Sequence, residues 1–366
     1  MKNLITLLIV SLLFILPKIG YPCSTFCLDK GEHLVFGKNV DWMQSDGFVF
    51  INKRGVLKTA MLAWNVDNLA TWTSKYGSIT FNQIGCDWPF GGVNEAGLVV
   101  EMMAVDRAKY PVPDERPIIN GLQWIQYQLD NFSRIELVIA SDSQLRILGI
   151  KNPPPGSLMA HFLVCDKTGN CASIEFINGK LVYHTKETMP VKVLTNSTYD
   201  DSVTFLHDDQ KDNLPIEQGT FSLLRFVRAV EMLKAYKPQA SPSAVDYSFA
   251  ILSSIKTPVG AYMLGEPIYT QWSIVYDIKN LKVYFRTWGN EQIRYFALSS
   301  FDFSCKTPIK VLEIQADLSG DVTKKFINYI QQINRKLLGN TPLLNLPEGV
   351  LDKLSKYPET TICTNK

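Results

Sequence analysis

The sequence predicts an α+β fold in which two mainly antiparallel β-sheets are packed between helical layers. Strand-like runs cluster in the first hundred residues and again between residues 161 and 195, and helical segments follow each cluster. Strands that occur in runs, with helices grouped between them, favour sheets covered by separate helical layers. Because we find no internal repeat, low-complexity tract or convincing linker, residues 23–366 are predicted to form a single domain.

The first half of the chain is predicted to hold strands joined by tight turns, and then helices. Residues 24–40 read as a β-hairpin that turns at Asp29-Lys30-Gly31-Glu32. The helix predicted at 121–131 places its apolar residues on one face, and Ser133 with Glu136 forms a capping box for a helix ending near Ala140. The further strands of this half are predicted at 48–52, 78–83 and 98–103.

The second half begins after a break at residues 153–156, which read Pro-Pro-Pro-Gly. Strands are predicted at 161–166, 171–177, 180–184, 191–195, 271–277, 282–288 and 294–298. Helices are predicted at 222–236, 243–255, 322–338 and 348–355.

The first 22 residues are predicted to be a signal peptide. Lys2 gives a positive start, and residues 4–16 form an apolar-rich stretch that Pro17 ends. This stretch is too short for a membrane span, which needs about 20 apolar residues. Because Pro22 is a poor residue to precede a cut, we expect cleavage a few residues upstream and later trimming of a short pro-segment. The protein is therefore expected to be secreted or periplasmic.

The composition excludes some classes of partner. The leader carries Lys2 and Lys18 and no acid, so its removal lowers the formal net charge from +2 to 0. A neutral chain lacks the positive charge with which proteins bind nucleic acids, and we predict no such partner. No apolar run after the leader reaches membrane-spanning length, so no stable span is expected after processing.

The chain has seven cysteines, and an exported protein can form disulfides. Cys165 and Cys171 flank a predicted hairpin turn, so they could face each other across two strands. Cys27 lies four residues past Cys23 in a predicted strand and is interpreted as a core residue. No spacing is typical of a zinc site, and we predict neither a metal nor a cofactor.

Cys23 is the strongest functional candidate. If the leader is removed, Cys23 becomes the first residue and carries a thiol nucleophile and a free α-amine on one residue. The four histidines are scattered, and no motif places one near Cys23. The α-amine, whose ordinary pKa is about 8, is therefore the better candidate for the base. The pattern indicates an amide hydrolase with an N-terminal nucleophile.

Five motifs follow one another along the chain. They are CSTF with GKNVDW from Cys23, NEAGL from Asn94, VLTNSTYD from Val193, LRFVR from Leu224, and the strand pair that begins at Tyr269. In this order they resemble the choloylglycine hydrolase family, which includes penicillin V acylases and conjugated bile salt hydrolases. The resemblance covers most of the chain after the leader. It implies the αββα sandwich of N-terminal-nucleophile hydrolases and hydrolysis of linear, non-peptide amides through an acyl-enzyme.

The resemblance also implies roles for single residues. Cys23 would be the nucleophile, and Asp41 would orient or tune it. Asn196 would donate a side-chain N–H to the oxyanion, and Arg225 would favour the thiolate. Lys38 stands where members of the family usually have arginine, and it keeps the positive charge without the fork geometry. Asp41 and Asn196 could instead be turn residues, and Arg225 could be a solvated charge.

The substrate side is predicted less directly. Well-studied members place an asparagine or tyrosine contact about ten residues after the motif's asparagine, here Asn94. This chain has Ala104 or a neighbour at that position, with Glu101 nearby, and we predict that Asn94 and Glu101 belong to the substrate pocket. Trp42 and Trp88 lie near the motifs and could line an apolar acyl pocket, or could be ordinary core. The departure favours a divergent branch acting on linear amides over a bile salt hydrolase.

The sequence therefore predicts an enzyme that hydrolyses a small acyl-amide substrate, and a homo-oligomer is left open. One alternative is a lipid amidase of the acid-ceramidase or N-acylethanolamine type. A second is a secreted lipoprotein or binding protein without activity, although the lipoprotein signal wants a small residue where this chain has Pro22. A papain-like cysteine protease ranks last, because its nucleophile-helix motif and histidine partner are missing from the sequence.

Overall fold

The computed structural model describes residues 22–62, 67–105, 107–148, 159–208, 222–239, 243–263, 266–341 and 346–364. The predicted leader before Pro22 and the proline-rich break at 153–156 lie outside these ranges. In the part of the chain that is described, no helix has both the length and the apolar composition needed to cross a membrane.

The described strands in chain order are β1 Ser24–Lys30, β2 His33–Trp42, β3 Phe48–Asn52, β4 Val56–Thr59, β5 Thr71–Thr73, β6 Ser78–Asn82, β7 Gly91–Asn94, β8 Val99–Ala104, β9 Ile118–Asn120, β10 Arg146–Leu148, β11 Ala160–Cys165, β12 Cys171–Ile177, β13 Lys180–Thr185, β14 Val193–Leu194, β15 Ala261–Met263, β16 Glu266–Asp277, β17 Lys282–Thr287, β18 Arg294–Ala297, β19 Lys310–Glu313, β20 Gly320–Asp321, β21 Ile327–Asn328 and β22 Ile362–Cys363. The described α-helices are α1 Gly121–Asn131, α2 Ile135–Ala140, α3 Tyr199–Leu206, α4 Ser222–Ala235, α5 Ala244–Ser254, α6 Gln331–Asn340, α7 Glu348–Ser355 and α8 Tyr357–Thr360.

The first large sheet contains the N-terminal hairpin. Its strand order is β14-β1-β2-β16-β17-β18-β20, with β15 paired to β16, and only the β18–β20 pairing is parallel. Strands β1 and β2 pair from Ser24 opposite Asn39 to Lys30 opposite His33, which confirms the predicted hairpin. The pairing brings the start of β1, next to Cys23, beside the end of β2.

The second large sheet has the order β13-β12-β11-β8-β7-β6-β3-β19-β21, and all of these pairings are antiparallel. The two sheets pack face to face through large aromatic side chains. The ring of Phe81 on β6 meets the rings of Tyr276 on β16 and Phe285 on β17 edge to face, with centroids 6.2 and 5.9 Å apart. Buried rings of this kind contribute both apolar area and a preferred geometry, so they hold the sheets in register.

Helices cover the outer faces of both sheets. On the first sheet, the side-chain amide of Asn39 on β2 donates to the main-chain oxygen of Leu252 on α5 at 2.8 Å. On the second sheet, the amide of Asn94 on β7 donates to the main-chain oxygens of Leu129 and Phe132 at the end of α1, at 2.8 and 2.7 Å. Helix α5 starts as predicted, with Ser243 accepting a capping bond from the Asp246 amide. The layer order confirms the predicted αββα fold.

Two predicted helix starts are wrong. Helix α2 begins at Ile135 rather than after a Ser133 cap, and its N-cap residue Arg134 makes no side-chain capping bond. The carboxylate of Asp166, remote in sequence, accepts the Ile135 amide at 3.2 Å and replaces the local capping box.

The helix predicted at 322–338 begins only at Gln331. Residues Ile327 and Asn328 pair with β19 instead. A sheet edge that offers backbone partners outweighs the weak helical pattern of this segment, because strand formation depends mainly on its neighbours.

Candidate active site

Cys23 is held by contacts to its main chain as well as to its thiol. Its nitrogen donates to Oδ1 of Asn196 at 2.7 Å, and its carbonyl oxygen accepts from Nη1 of Arg225 at 2.7 Å. Its Sγ lies 3.9 Å from the main-chain oxygen of Asp41. The residue is 9% exposed. Three segments far apart in sequence therefore position one cysteine.

Asn196 follows β14 and makes contacts that determine how its amide is turned. Oδ1 accepts from Nη2 of Arg225 at 2.8 Å as well as from the Cys23 nitrogen. Since two donors face this atom, it must be the oxygen, and Nδ2 points to the main-chain oxygen of Ala104 at 2.9 Å. Its main-chain N–H donates to Oγ of Ser222 at 2.8 Å, which ties the site to the start of α4.

Arg225 lies in the first turns of α4 and is 3% exposed, so the alternative of a solvated surface charge is wrong. It also donates to Oγ of Ser24. Burial lowers the pKa of Arg225, and the opposite charges of Asp41 and Cys23 act to raise it. A guanidinium has an ordinary pKa far above neutral, so the side chain brings a positive charge to the cysteine.

Asp41 lies near the end of β2 and is fully buried. Oδ2 accepts from Oγ1 of Thr257, just after α5, at 2.9 Å. Oδ1 has no hydrogen-bond partner among the described residues. Burial raises the pKa of Asp41 to about 6, although Arg225 and the hydroxyls of Thr270 and Thr257 act to lower it. An open acceptor atom in a buried carboxyl group is therefore available next to the cysteine.

A small cavity lies beside the cysteine, and apolar side chains form much of its wall. The residues that line it are Cys23, Lys38, Val40, Asp41, Trp42, Phe90, Met102 and Ala104. The rings of Trp42 and Phe90 meet edge to face, with centroids 5.5 Å apart. The Lys38 ammonium, on a residue 1% exposed, donates to the main-chain oxygen of Met102. One cation thus enters a cavity whose other walls are largely hydrocarbon.

The groups around the Cys23 thiol have opposing effects on its pKa. Burial raises the pKa of the thiol, while the positive charge of Lys38 lowers it. The carboxylate of Asp41 raises it, and the contact to the Asp41 main chain and the charge of Arg225 lower it. Burial has the largest effect, so the thiol needs a base close by to become a thiolate.

The structure brings Cys23, Lys38, Asp41, Asn196, Arg225 and Trp42 together, and it separates Asn94 and Trp88 from them. Asn94 uses its side chain within its own turn, where Oδ1 accepts from the amides of Ala96 and Leu98, and on the end of α1. Trp88 is buried but is not among the described residues that line the cavity. Both are explained by packing and turn formation.

Glu101 also lies outside the wall of the cavity and stands behind it. Its Oε2 is 4.0 Å from Nζ of Lys38, and its Oε1 accepts from the hydroxyl of Tyr276 at 2.5 Å. The side chain is 1% exposed. Its partners are therefore protein groups rather than a ligand in the cavity.

Sequence reasoning missed the support behind Asn196. His161 on β11 contacts Oε1 of Glu175 through Nδ1 at 2.9 Å and the main-chain oxygen of Thr195 through Nε2 at 2.7 Å. Both side chains are buried. The contact between His161 and Glu175 could have been predicted from the hairpin of β11 and β12. The register that pairs Phe162 with Ile174 sets His161 opposite Glu175.

Cysteine pairing agrees with one sequence expectation and adds a second bridge. Cys165 and Cys171 form a disulfide across β11 and β12, and Cys305 is bonded to Cys363. Cys27 is buried, as the core interpretation requires, and its sulfur lies within 4.8 Å of those of Cys165 and Cys171. Because those two sulfurs are bonded to each other, Cys27 has the one free thiol of that group.

The two sheets between helical layers, with a buried cysteine before the first strand, form the fold of the N-terminal-nucleophile hydrolases. The chain belongs to the choloylglycine hydrolase family of linear amide C–N hydrolases, whose family model matches residues 23–311. The match begins at Cys23.

Individual relatives agree with this assignment. The chain is 26% identical to penicillin V acylase of Pectobacterium atrosepticum in an alignment 261 residues long, which covers 64% of this chain and 69% of that protein. Penicillin V acylase from Agrobacterium tumefaciens has a similar structure, with a TM-score of 0.70 and 23% identity over 84% of this chain and 98% of that one. A mutant of conjugated bile acid hydrolase from Clostridium perfringens has a TM-score of 0.65 at 21% identity, over 84% and 99% of the two chains. The two structures confirm the predicted fold.

Proposed function

We propose that this linear amide hydrolase becomes active when the chain is cut before Cys23, and that it then cleaves amides of a small aromatic acyl group. One observation carries the proposal. The nitrogen of Cys23 is held by Asn196 at 2.7 Å, on the residue whose thiol faces the cavity. After cleavage this nitrogen is an amine, and it is placed next to the thiol that it would deprotonate.

We assign the role of base to the amine rather than to a histidine. No histidine is among the described residues that line the cavity, and both ring nitrogens of His161 already face acceptors. A neutral α-amine has an ordinary pKa of about 8, so a substantial fraction is available near neutral pH. The proposed base therefore differs from the imidazole that many cysteine hydrolases use.

The reaction proceeds through an acyl-enzyme. The α-amine accepts the thiol proton, and the Cys23 thiolate attacks the amide carbonyl carbon. The resulting oxyanion receives a hydrogen bond from Nδ2 of Asn196, whose second proton is not needed by Ala104. The α-ammonium gives its proton to the leaving nitrogen as the C–N bond breaks. Water then attacks the thioester, with the amine as base, and releases the carboxylic acid and the free thiol.

Charged side chains near Cys23 assist each stage. Arg225 and Lys38 stabilise the thiolate, and both lower the pKa of the thiol against the effect of burial. Asp41 has an unpartnered Oδ1, and we propose that it accepts a hydrogen bond from the α-ammonium while that group holds the proton. The assignment gives this buried atom a partner that exists only in the processed chain.

The chemistry of the side chains beside the cysteine favours an aromatic acyl group. Trp42, Phe90 and Met102 offer ring and thioether surfaces, which favour a flat hydrocarbon group over a charged one. The relative with 26% identity is named penicillin V acylase. We therefore propose amides of small aromatic acyl groups, with penicillin V as the first candidate, ahead of bile salts and long-chain fatty acyl amides.

Export is part of the proposal. Two disulfides, Cys165–Cys171 and Cys305–Cys363, suit an oxidising compartment, and the apolar residues 4–16 suit a signal peptide. Sequencing the N-terminus of the protein recovered from medium or periplasm should give Cys23 as the first residue. Recovery of an active protein that starts before Cys23 would contradict the requirement for a free α-amine.

The decisive experiment compares the chain 23–366 with its Cys23→Ser and Cys27→Ala variants. Release of free amine is measured from penicillin V, glycocholate and a fatty-acyl ethanolamide. We expect turnover of penicillin V by the parent chain and by Cys27→Ala, and none by Cys23→Ser with an unchanged melting temperature. Cys27 is a matched control because it is a second buried free thiol, four residues further along the chain in β1. Full activity of Cys23→Ser would refute the mechanism, and turnover of glycocholate alone would refute the acyl preference.

A further inference from the structure

A buried carboxyl group stands behind the active-site cavity and is not explained by the proposed reaction. Glu101 lies on β8 of the second sheet, and the Tyr276 hydroxyl donates to its Oε1 at 2.5 Å. Oε2 has no hydrogen-bond partner among the described residues. A buried carboxyl oxygen without a partner is costly, so its position needs a physical reason.

The space for this carboxyl group depends on a glycine. A Cβ atom at Gly91 would lie 2.1 Å from Oε2 of Glu101, closer than any side chain can approach. Gly91 directly follows Phe90 of the cavity wall and pairs with Glu101 between β7 and β8. The chain therefore accommodates an ionisable group here at the expense of a side chain on the neighbouring strand.

The nearest charge to Oε2 is the ammonium of Lys38, 4.0 Å away. Lys38 lies on β2 of the first sheet and lines the cavity with Cys23, and its charge lowers the pKa of the Cys23 thiol. The ammonium also donates to the main-chain oxygen of Met102, next to Glu101. Lys38 thus stands between the thiol on one side and the Glu101 carboxyl group on the other.

The charged and titratable groups around this pair can be named for each element. Lys38 from β2 and Tyr276 from β16 face Glu101, and both act on its pKa. Lys38, Asp41 and Arg225 act on Cys23, and Glu101 is not among the groups that do so directly. Any effect of Glu101 on the thiol is therefore exerted through Lys38.

From this geometry we infer that Glu101 is a positioning residue that holds and partly neutralises the Lys38 ammonium, and thereby sets the pH range in which the Cys23 thiolate is stabilised. The inference rests on the proposed role of Cys23 as nucleophile. Glu101 is then not a substrate contact. It acts on the charge of Lys38 across the interface of the two sheets.

The direction of the effect follows from the charges. Burial raises the pKa of Glu101 to about 7, while Lys38 and the Tyr276 hydroxyl act to lower it. Below that pH the carboxyl group is neutral, and the full charge of Lys38 favours the thiolate. Above it the carboxylate offsets Lys38, and the thiolate is favoured less. The site therefore keeps more thiolate on the acidic side of neutral than a fixed charge pair would allow.

The test measures alkylation of Cys23 by iodoacetamide between pH 5 and 10 in the chain 23–366, located by peptide mapping. We expect the midpoint of alkylation for Glu101→Gln to lie lower than in the parent by roughly 1 pH unit, since one nearby negative charge is lost. The acid limb of kcat/KM should move by the same amount. Glu101→Asp keeps the charge and should stay within a few tenths of a unit of the parent.

A second variant guards against misfolding of Glu101→Gln. Tyr276→Phe keeps the carboxyl group but removes the hydrogen bond that favours its ionised form, so its midpoint should shift in the same direction by less. Unchanged midpoints in every folded variant would overturn the inference, as would an equal loss of rate at every pH, which is the mark of a merely structural role. Because alkylation needs no substrate, a shifted midpoint without any amidase activity would refute the proposed function and would still show that Glu101 acts on the Cys23 thiol through Lys38.

Discussion

Asn196 faces the nitrogen of Cys23 with its oxygen, at 2.7 Å, and turns its amide nitrogen toward Ala104 at 2.9 Å. One side chain thus accepts from the residue that carries the nucleophile and presents its donor toward the strand that borders the cavity. The amide oxygen therefore acts as an acceptor and the amide nitrogen as a donor, and substitutions can remove one role without the other.

Asn196→Asp should keep the acceptor and lose the donor. We expect kcat to fall about 10²–10³-fold, the size of the effect when one oxyanion donor is removed. Asn196→Ala loses both halves and should also lower thermal stability, because Arg225 then loses an acceptor at 2.8 Å. Steady-state kinetics with thermal unfolding of both variants checks this, and wild-type kcat in Asn196→Asp would show that the oxyanion donor lies elsewhere.

Arg225→Lys should be far from neutral although the charge is kept. The guanidinium contacts the Cys23 carbonyl oxygen through Nη1 and Asn196 through Nη2, a fork that an ammonium does not reproduce. We expect at least a tenfold loss of kcat/KM and a higher pH for half-alkylation of Cys23. Arg228→Lys, three residues along the same helix and exposed, is the matched control and should keep parental activity.

The two disulfides should differ in their effect on stability. The Cys305–Cys363 bridge closes 58 residues and the Cys165–Cys171 bridge closes 6. In the chain-entropy model their removal costs about 4 and about 2 kcal/mol respectively. Urea unfolding of the two paired Cys→Ser variants measures both losses. A larger loss for the hairpin bridge would show that local packing, rather than loop closure, determines the effect.

His161→Phe should destabilise the fold and the active site together. The substitution removes the His161 contact to the buried Glu175 carboxylate, which then keeps only the Tyr199 amide among the described residues. It also frees the main-chain oxygen of Thr195, which precedes Asn196. Breaking a buried pair in this way costs about 3–5 kcal/mol. His207→Phe, at an exposed position, should change stability by less than about 0.5 kcal/mol. Equal unfolding free energies for the two variants would contradict the role of His161.

The pH dependence of stability gives an independent view of Glu101. Its pKa is about 7 when folded, above the ordinary value, so the folded state binds the proton more tightly. The stabilising contribution is then complete below about pH 4.5 and is lost as the pH rises through 7. Relative to Glu101→Gln, the parent should lose several kcal/mol of unfolding free energy between pH 4.5 and 8. A constant difference between the two proteins over this range would show that Glu101 does not titrate there.

Much of the fold could be predicted because it depends on local signals. The β1–β2 hairpin needs only alternating strands and the turn at Gly31, and helix α1 needs only apolar residues at helical spacing. The errors fell where distant groups replaced local ones. Asp166 caps α2 in place of Ser133, and β19 recruits residues 327–328 from a predicted helix.

The candidate site, too, could be predicted only in part. Cys23, Asp41, Asn196 and Arg225 could be named because motifs mark them, and the structure brings all four together. Asn94 belongs to a motif as well, yet its side chain serves a turn and a helix end. A motif reports that a residue type matters at a position, but not which neighbour it will meet.

The sequence by itself determined most of the longer strands, most helices and the identity of the cysteine, because backbone preference and side-chain chemistry are properties of short segments. Only the tertiary structure decided what surrounds that cysteine. Asn196 and Arg225 reach it from 173 and 202 residues away, and Glu101 meets Lys38 only where the two sheets face each other. Charge acts through space, so the electrostatics of the thiol depend on packing that no local pattern encodes.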